Sequence, residues 1–290
     1  MDSGNIGFVL LCAAFVFVMT PGLAMFYGGL VRKKNVVNTM MTSIFIIGIG
    51  IVMWVLFGYS LSFAPSGNAF IGDFRWLGLE GVSLTEGYTD DASIPNMVFS
   101  AFQMMFAVIT PALITGAVAG RMKFKSIFVF TIFWSLIVYY PLAHMVWGQG
   151  GLLGADGIGA LDFAGGDVVH ISSGVSALVL CILLGKRHDY EHSIYRIHNI
   201  PTVVLGASLL MFGWFGFNAG SALAADGLAA HAFMTTGVSA AAAMLSWMLC
   251  DVIKNKKPTL IGASTGMVAG LVGITPGAGF VPMWAAVIIG

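Results

Sequence analysis

Long apolar runs separated by short polar segments dominate the pattern of hydrophobic and polar positions along the chain. Eight runs that are almost free of charge cover residues 6–31, 37–63, 94–120, 126–148, 163–185, 198–222, 228–250 and 259–275, and a ninth begins near residue 280. A helix needs about 20 mostly apolar residues to cross the roughly 30 Å hydrocarbon core of a bilayer, so each run predicts a membrane-spanning helix. The pattern therefore predicts an all-α polytopic membrane protein with eight full helices and part of a ninth.

The composition supports a membrane protein and excludes several other classes. Of the 290 residues, 58% are hydrophobic and 9% are charged, whereas a soluble domain carries about 25% charged residues. A soluble enzyme, a nucleic-acid-binding protein and a disordered chain are therefore excluded, and we expect no cofactor. Cys12, Cys181 and Cys250 lie far apart in apolar runs, which is typical of small buried side chains and not of a disulfide framework or a metal site.

The distribution of basic residues predicts the orientation of the helices. Twelve of the 13 lie in alternate loops, and only Arg75 lies on the other side. The twelve are Arg32, Lys33, Lys34, Arg121, Lys123, Lys125, Lys186, Arg187, Arg196, Lys254, Lys256 and Lys257. Because loops rich in Lys and Arg stay in the cytoplasm, we expect a multi-pass protein of the cell membrane with its N-terminus outside. The outer segment 64–93 is long and polar enough to form an ordered cap.

Short glycine-rich strings recur five runs apart and indicate an internal repeat. GAVAG at 116–120 has a counterpart in GMVAG at 266–270, and MFYGG at 25–29 has one in FGFNAG at 215–220. An offset of five helices reverses the direction in which the chain crosses the membrane, and this inverted arrangement is common in transporters. We therefore expect inverted five-helix repeats.

A few polar side chains fall inside the apolar runs, where burial is costly and a functional role is the first hypothesis. They are His144, Asp162, Asp167, His170, Asn218, Ser221 and His231. Aromatic-rich stretches surround them, namely FSAFQMMF at 99–106, AHMVWGQGG at 143–151 and MFGWFGFNAGSA at 211–222. The polar side chains and these stretches together therefore hold the candidate site residues.

The order of these motifs resembles the ammonium transporter family, whose relatives include the Rh proteins. HMVWG at 144–148 is followed by ALDFAGGDVVHISSG at 160–174 and WFGFNAGSA at 214–222, and the resemblance extends to TPGLAMFYGGLVRKKN at 20–35. It implies transport of ammonium or ammonia by a homotrimer with one pore per subunit. It also implies that a PII-type regulatory protein binds the cytoplasmic face.

The resemblance assigns roles to individual residues. Trp147, Phe106 and Ser221 match an outer recruitment site, where aromatic faces attract a partly dehydrated ammonium ion by cation–π contacts of about 0.5–2 kcal/mol each and the hydroxyl supplies a directed acceptor. Phe106 and Phe217 match two stacked rings that close the pore, a constriction that admits neutral ammonia more readily than a cation. His170 matches the first of two pore histidines, which binds the deprotonated guest and relays its proton.

The remaining polar residues receive structural or open interpretations. Asp162 matches a buried aspartate near the outer site, and we expect a mainly structural role with a long-range electrostatic contribution. Asp167 replaces the more usual neutral residue three positions before His170, at a subunit interface or in the outer vestibule. For His144 and His231 we expect ordinary hydrogen bonds near helix ends.

Two further patterns are expected to carry no chemistry. His188 and His192 have the helical spacing of a metal-binding pair, but such a pair without a third ligand is usually a solvated face, so no metal site is predicted. The string GASTG at 262–266 fits the GxSxG pattern of hydrolases, yet it lies in a predicted spanning helix and not on a strand-to-helix turn. The chain is therefore not expected to be an enzyme, and these glycines suit close helix contacts.

The length of the chain differs from what the resemblance implies. Residues 280–290 make only about 16 Å of helix at 1.5 Å per residue, which is half a membrane. The family has eleven helices, and its second pore histidine lies on the tenth. We therefore expect residues 1–290 to form one transmembrane domain that is C-terminally truncated, with helices nine to eleven wholly or partly missing. The alternatives to transport are an ammonium sensor or signalling scaffold, and a channel for another small neutral solute.

Overall fold

The computed structural model describes residues 1–155, 157–187, 190 and 195–290, and every regular element within these ranges is helical. Eight helices are long and apolar enough to cross a membrane: α1 Ser3–Leu30, α2 Lys33–Phe63, α3 Asn96–Val118, α4 Phe124–Trp147, α5 Gly166–Leu184, α6 Ile200–Gly220, α7 Gly227–Asn255 and α8 Leu260–Gly277. A short helix, α9, covers Met283–Ile289. The predicted all-α polytopic fold is confirmed, and each predicted run coincides with one of these helices.

Three of the spanning helices contain a π-turn, in which one extra residue is inserted into the α-helical ladder. The π-turns cover Trp54–Gly58 in α2, Ser135–Tyr139 in α4 and Gly166–Ile171 at the start of α5. Such turns are frequent at functional sites. The one in α5 concerns the site directly, because it carries His170.

The most extensive helix contact joins α1 to α6, and glycine makes it possible. A Cβ atom on Gly22 would lie 2.9 Å from the Cβ atom of Leu209, and one on Gly216 would lie 2.7 Å from the Cβ atom of Phe15. Small residues let the backbones of membrane helices approach this closely. These two helices are the first of each predicted five-helix unit, although the repeat itself stays a prediction.

The GASTG string lies inside α8, as expected, and one of its glycines packs against α7. A Cβ atom on Gly266 would lie 2.6 Å from the Cβ atom of Trp247. The hydroxyl of Ser264 donates to the carbonyl oxygen of Leu260 one turn earlier, at 2.9 Å. The string therefore packs two helices together and does not form the strand-to-helix turn of the hydrolase pattern.

Hydrogen bonds connect neighbouring helix ends at both ends of the helix bundle. At one end, the backbone N–H of Asp2 donates to the carbonyl of Ser93 at 2.8 Å, and Asn5 Oδ1 accepts from the N–H of Ala225 at 2.9 Å. At the opposite end, Arg121 donates to the carbonyl of Gly185 at 2.9 Å. We refer to the first as the Trp147 end, because α4 finishes there with Trp147, and to the second as the Arg121 end.

The segment between α2 and α3 is an ordered cap over the Trp147 end. The ring of Trp76 stacks on that of Tyr59 with centroids 5.3 Å apart, and Tyr88 stacks on Phe99 at 4.7 Å. Burial raises the pKa of Tyr88 to about 12, so its hydroxyl stays protonated at neutral pH. The cap thus places Tyr88 firmly against the helix that carries Phe106.

Candidate functional site

A cavity of about 440 Å³ opens at the Trp147 end, beneath the cap. Its wall includes the cap residues 88–89 and 91–94 and side chains from three helices. The side chains on which the site depends are Gln103 and Phe106 of α3, Trp147 of α4, Asp162, and Ser221 at the end of α6. We call this cavity the vestibule. The structure therefore brings Trp147, Phe106 and Ser221, far apart in sequence, to one wall.

Trp147 is the last residue of α4, and its indole is fixed from behind. The indole Nε1 donates to the carbonyl oxygen of Asp162 at 3.0 Å. Its ring meets that of Phe106 edge to face, with centroids 6.0 Å apart and planes at 85°. Two aromatic walls thus meet nearly at right angles, so a small cation beside them faces π-electron density from two directions.

Ser221 directly follows the last residue of α6, and its hydroxyl already donates a hydrogen bond. The Oγ atom donates to the carbonyl oxygen of Phe217 one turn earlier, at 2.9 Å. A hydroxyl has one hydrogen and two lone pairs, so this bond leaves the lone pairs to accept. The residue therefore presents an acceptor to the vestibule, which suits a guest that carries only N–H donors.

Phe106 forms part of the vestibule wall, and Phe217 lies immediately behind it. Their ring centroids are 4.3 Å apart at an angle of 42°, and the side chains are 1% and 0% exposed. Phe102 lies beside them, with its centroid 4.9 Å from that of Phe106. Phe102 is fully buried and does not line the vestibule, so it packs behind Phe106.

His170 continues the row of rings beyond Phe217. Its ring lies 5.9 Å from that of Phe217 and 5.3 Å from that of Trp214, nearly parallel to both. The indole of Trp214 is itself held by a bond from Nε1 to the hydroxyl of Thr275 at 2.9 Å. The Nε2 atom of His170 is buried and has no hydrogen-bond partner within the part of the chain that the structure describes. Such an atom is available to a small polar guest.

Asp162 organises the loop that leads into α5. Its two carboxylate oxygens accept four backbone N–H bonds of 2.6 to 3.2 Å. The donors are Gly165, Gly166, Asp167 and Val168. Gly165 adopts a left-handed conformation with φ 117°, which glycine reaches without steric strain. The negative charge also lies at a helix N-terminus, where the helix dipole stabilises it.

The two other intramembrane histidines bond to backbone groups, as expected. His144 is fully buried, and its ring nitrogens lie 3.1 Å from the carbonyl oxygen of Ser62 and 2.7 Å from that of Asn68. His231 Nε2 lies 2.8 Å from the carbonyl oxygen of Val281. His144 thus joins α4 to the start of the cap.

The predicted absence of a metal site concerns residues that the structure describes only in part. His188 and His192 lie outside the described residues. Among the described ranges, no three His, Cys, Asp or Glu side chains gather as metal ligands.

A second, wider cavity of about 860 Å³ lies at the Arg121 end. Its described lining combines aliphatic side chains with Tyr27, Arg121, Arg187 and Tyr195. The guanidinium of Arg121 donates to the carbonyl of Gly185 at 2.9 Å. This cavity therefore differs in both size and charge from the vestibule.

Sequence reasoning missed three residues that the structure places at the row of rings or in the vestibule. Gln103 and Tyr88 line the vestibule, and Trp214 stacks on His170. Gln103 carried a weak signal, since it lies three residues before Phe106 and therefore on the same helix face. Nothing in the sequence pointed to Tyr88, because the path of the cap cannot be predicted from hydropathy.

Comparisons with known proteins support the fold and identify the family. A family model described as the Ammonium Transporter Family matches residues 7–290. An ammonium transporter of Bacillus subtilis is 53% identical over 290 residues, which are 100% of this chain and 70% of that protein. The crystal structure of Mep2 from Saccharomyces cerevisiae superposes with a TM-score of 0.90 at 39% identity, covering 100% of this chain and 64% of that one. A structure named Sensor Amt Protein gives a TM-score of 0.87 at 29% identity, covering 98% and 71% respectively.

Proposed function

The chain belongs to the ammonium transporter family, and on that premise we propose that it carries ammonium or ammonia across a cell membrane. The expectation of a transport protein and not an enzyme is confirmed at the level of the family. The proposal assigns capture of the cation to the vestibule, and passage of neutral ammonia to the row of rings behind it. Residues 1–290 act in it as one transmembrane domain.

Capture rests on the aromatic walls and the hydroxyl acceptor of the vestibule. Ammonium loses part of its hydration there, and the faces of Trp147 and Phe106 replace some of it by cation–π attraction of about 0.5–2 kcal/mol each. The lone pairs of Ser221 accept an N–H bond, because its own hydrogen is bound to Phe217. The carboxylate of Asp162 adds a long-range attraction, while its direct bonds all serve the loop.

The rings of Phe106 and Phe217 then separate the charged from the neutral species. With centroids 4.3 Å apart, the pair leaves no room for a hydrated ion unless the rings move. An unpaired charge is far more costly to desolvate than a neutral polar molecule. Ammonium therefore gives up one proton to water on the vestibule side, and ammonia passes between the rings.

His170 receives the neutral guest beyond the rings. Its unpartnered Nε2 atom accepts a hydrogen bond from ammonia or relays a proton, and water on the far side protonates the ammonia again. The near-parallel stacking against Trp214 and Phe217 fixes the plane of the imidazole. The ring can therefore exchange protons without changing its position.

Orientation and partners extend this proposal. We assign the Trp147 end to the outside, because the predicted cytoplasmic loops with twelve of the 13 basic residues follow α1, α3, α5 and α7. The homotrimer and the PII-type partner implied by the family resemblance belong to the same proposal. Such a partner would contact the Arg121 end.

The observation that carries the proposal is the unbroken row Trp147, Phe106, Phe217 and His170. Neighbouring ring centroids in it are 6.0, 4.3 and 5.9 Å apart. A row of this kind joins a cation-binding wall to a buried imidazole, and a channel for water gains nothing from cation–π contacts.

Uptake of radiolabelled methylammonium into cells that lack their own ammonium uptake tests the proposal. We expect saturable uptake by the unmodified protein, and loss of conduction or of discrimination against alkali cations in His170→Ala. The matched control is His231→Ala, which removes a histidine bonded to the Val281 carbonyl. Uptake and ion discrimination that were untouched in His170→Ala would disprove the pore role. Binding of ammonium without any uptake would instead indicate a sensor.

A further inference from the structure

Gln103 lies on the face of α3 that borders the vestibule. It is four residues after Phe99 and three before Phe106, so all three share one side of the helix. All three also line the cavity, together with Trp147 and Ser221. The side chain is only 8% exposed. An amide is thus held between aromatic rings at the place where the cation is proposed to bind.

The Oε1 atom of Gln103 is buried and has no hydrogen-bond partner within the described ranges. Neighbouring polar groups on α3 are satisfied: Ser100 accepts a bond from the Trp54 indole at 3.3 Å, and Thr110 donates to the carbonyl of Phe106 at 2.6 Å. A buried amide oxygen without a partner is costly, and natural structures tolerate few of them. An unused acceptor beside the site therefore points to a guest that donates.

We propose that the amide of Gln103 is a second oxygen acceptor for ammonium in the vestibule, paired with the hydroxyl of Ser221, and that it sets the affinity for the cation. The inference rests on the proposed function and deepens it. The terminal amide can rotate about its last side-chain bond, and the rotamer that turns its oxygen to the guest completes the site.

The chemistry of the guest explains why two oxygens and two rings suit it. Ammonium directs four N–H bonds towards the corners of a tetrahedron and has no lone pair. Gln103 and Ser221 supply two acceptors, and the faces of Phe106 and Trp147 supply two π-surfaces. An alkali cation has no N–H bonds to direct, and needs several oxygen ligands to replace its hydration shell. The same four groups therefore favour ammonium over potassium.

The test compares three single variants of the protein produced from its complete gene. Gln103→Met keeps the length of the side chain and removes the acceptor. Gln103→Glu keeps an oxygen in the same place. Gln149→Met is the matched control, because the Gln149 amide is exposed at the same end and donates to the backbone carbonyl of Tyr88 at 2.9 Å, outside the vestibule wall.

Two readouts are measured for each variant: the half-saturation concentration of methylammonium uptake, and the affinity of purified protein for ammonium chloride by calorimetry. For Gln103→Met we expect about tenfold weaker binding, with the maximal rate kept within about twofold, because a hydrogen bond to a charged group is lost. Potassium should compete more effectively than in the unmodified protein. Gln103→Glu should bind at least as tightly as the unmodified protein, and Gln149→Met should be unchanged.

Three outcomes would overturn the inference. The first is unchanged affinity in Gln103→Met, which would leave the amide with a structural water only. The second is an equal loss in Gln103→Met and Gln103→Glu, which would indicate packing and not hydrogen bonding. The third is an equal loss in Gln149→Met. If the unmodified protein binds ammonium without transporting it, the proposed function fails while the calorimetry still decides the role of Gln103.

Discussion

The vestibule and the cavity at the Arg121 end differ in what their walls can bind. The vestibule at the Trp147 end has about half the volume of the cavity at the Arg121 end, 440 against 860 Å³. Aromatic faces, neutral oxygens and the carboxylates of Asp91 and Asp162 line the first, whereas Arg121 and Arg187 contribute cationic groups to the second. Because like charges repel, a cation is attracted at one end and disfavoured at the other. In the proposed function we therefore assign recognition to the vestibule and release to the wider cavity.

The largest expected effect comes from the loop that shapes the vestibule. Asp162→Ala removes the acceptor of four backbone N–H groups and should lower stability by about 3 kcal/mol or more, because buried donors are left without partners. Thermal unfolding of purified protein in detergent measures this loss. A melting temperature equal to that of the unmodified protein would show that the loop holds without the carboxylate.

Asp73→Ala is the control for that variant, since it removes another carboxylate at the same end. Asp73 pairs with Arg75 at 2.7 Å in an exposed position, so its removal should cost about 1 kcal/mol or less. The hydrogen bond from Arg75 holds the pKa of Asp73 below its usual value. The pair therefore stabilises the cap at neutral pH, and this contribution is lost as the pH falls through the lowered pKa.

Trp147→Leu should have the next largest effect, which we expect on the affinity for the cation and not on the stability of the protein. Losing one aromatic wall should raise the half-saturation concentration of methylammonium by about 5- to 30-fold, in line with a cation–π contact of 1–2 kcal/mol. Trp284→Leu is the control, because Trp284 is 68% exposed on α9 and should leave uptake unchanged. Equal half-saturation values for Trp147→Leu and the unmodified protein would remove Trp147 from the site.

Ser221→Ala should weaken binding less, by about three- to tenfold, because one hydrogen-bond acceptor is lost. Ser246→Ala makes a suitable comparison. Its hydroxyl also donates to a backbone carbonyl, that of Ala243 at 3.1 Å, but it lies outside the vestibule wall. The same uptake measurement distinguishes them, and an effect of equal size in both would mean that losing the hydroxyl-to-carbonyl bond within the helix, and not losing an acceptor for ammonium, explains the change.

Arg121→Gln should change the ammonium affinity least, by less than about twofold. Arg121 lies at the other end of the bundle, where it contacts Gly185, and dissolved salt screens its charge from the vestibule. The thermal stability of the Arg121→Gln variant should fall, because the guanidinium joins the ends of α3 and α5. Calorimetry with ammonium chloride measures the affinity. A tenfold change there would contradict the division of labour between the two cavities.

The sequence predicts the fold well and the vestibule in part, for a physical reason. In a bilayer each span must satisfy its own backbone, so an apolar run of sufficient length is already a helix, as for α1 and α3. When every side of such a helix is apolar, the hydropathy pattern cannot predict which side borders a cavity. α3 is buried on most sides, and Gln103 could therefore not be assigned to the vestibule before the packing was known.

The same limit applies to residues whose partners lie in loops. The four N–H bonds to Asp162 require a left-handed Gly165 and a π-turn, and no pattern along the chain announces either. The motif resemblance located Trp147, Phe106, Ser221, Phe217 and His170, whose roles remain predictions. It gave no indication that Trp214 stacks on His170.

The π-turn at Gly166–Ile171 has a consequence for how this helix tolerates insertions and deletions. A π-turn is an α-helix that holds one residue too many. Because the wide turn absorbs that residue locally, deleting one residue within it would restore a regular helix and leave the flanking segments in nearly the same relative orientation. The same deletion in the regular part of α5, Ser172–Leu184, would instead rotate the two parts by about 100° relative to each other. The π-turn is therefore the place in α5 where one residue can be lost without turning the Asp162 loop away from the rest of the helix.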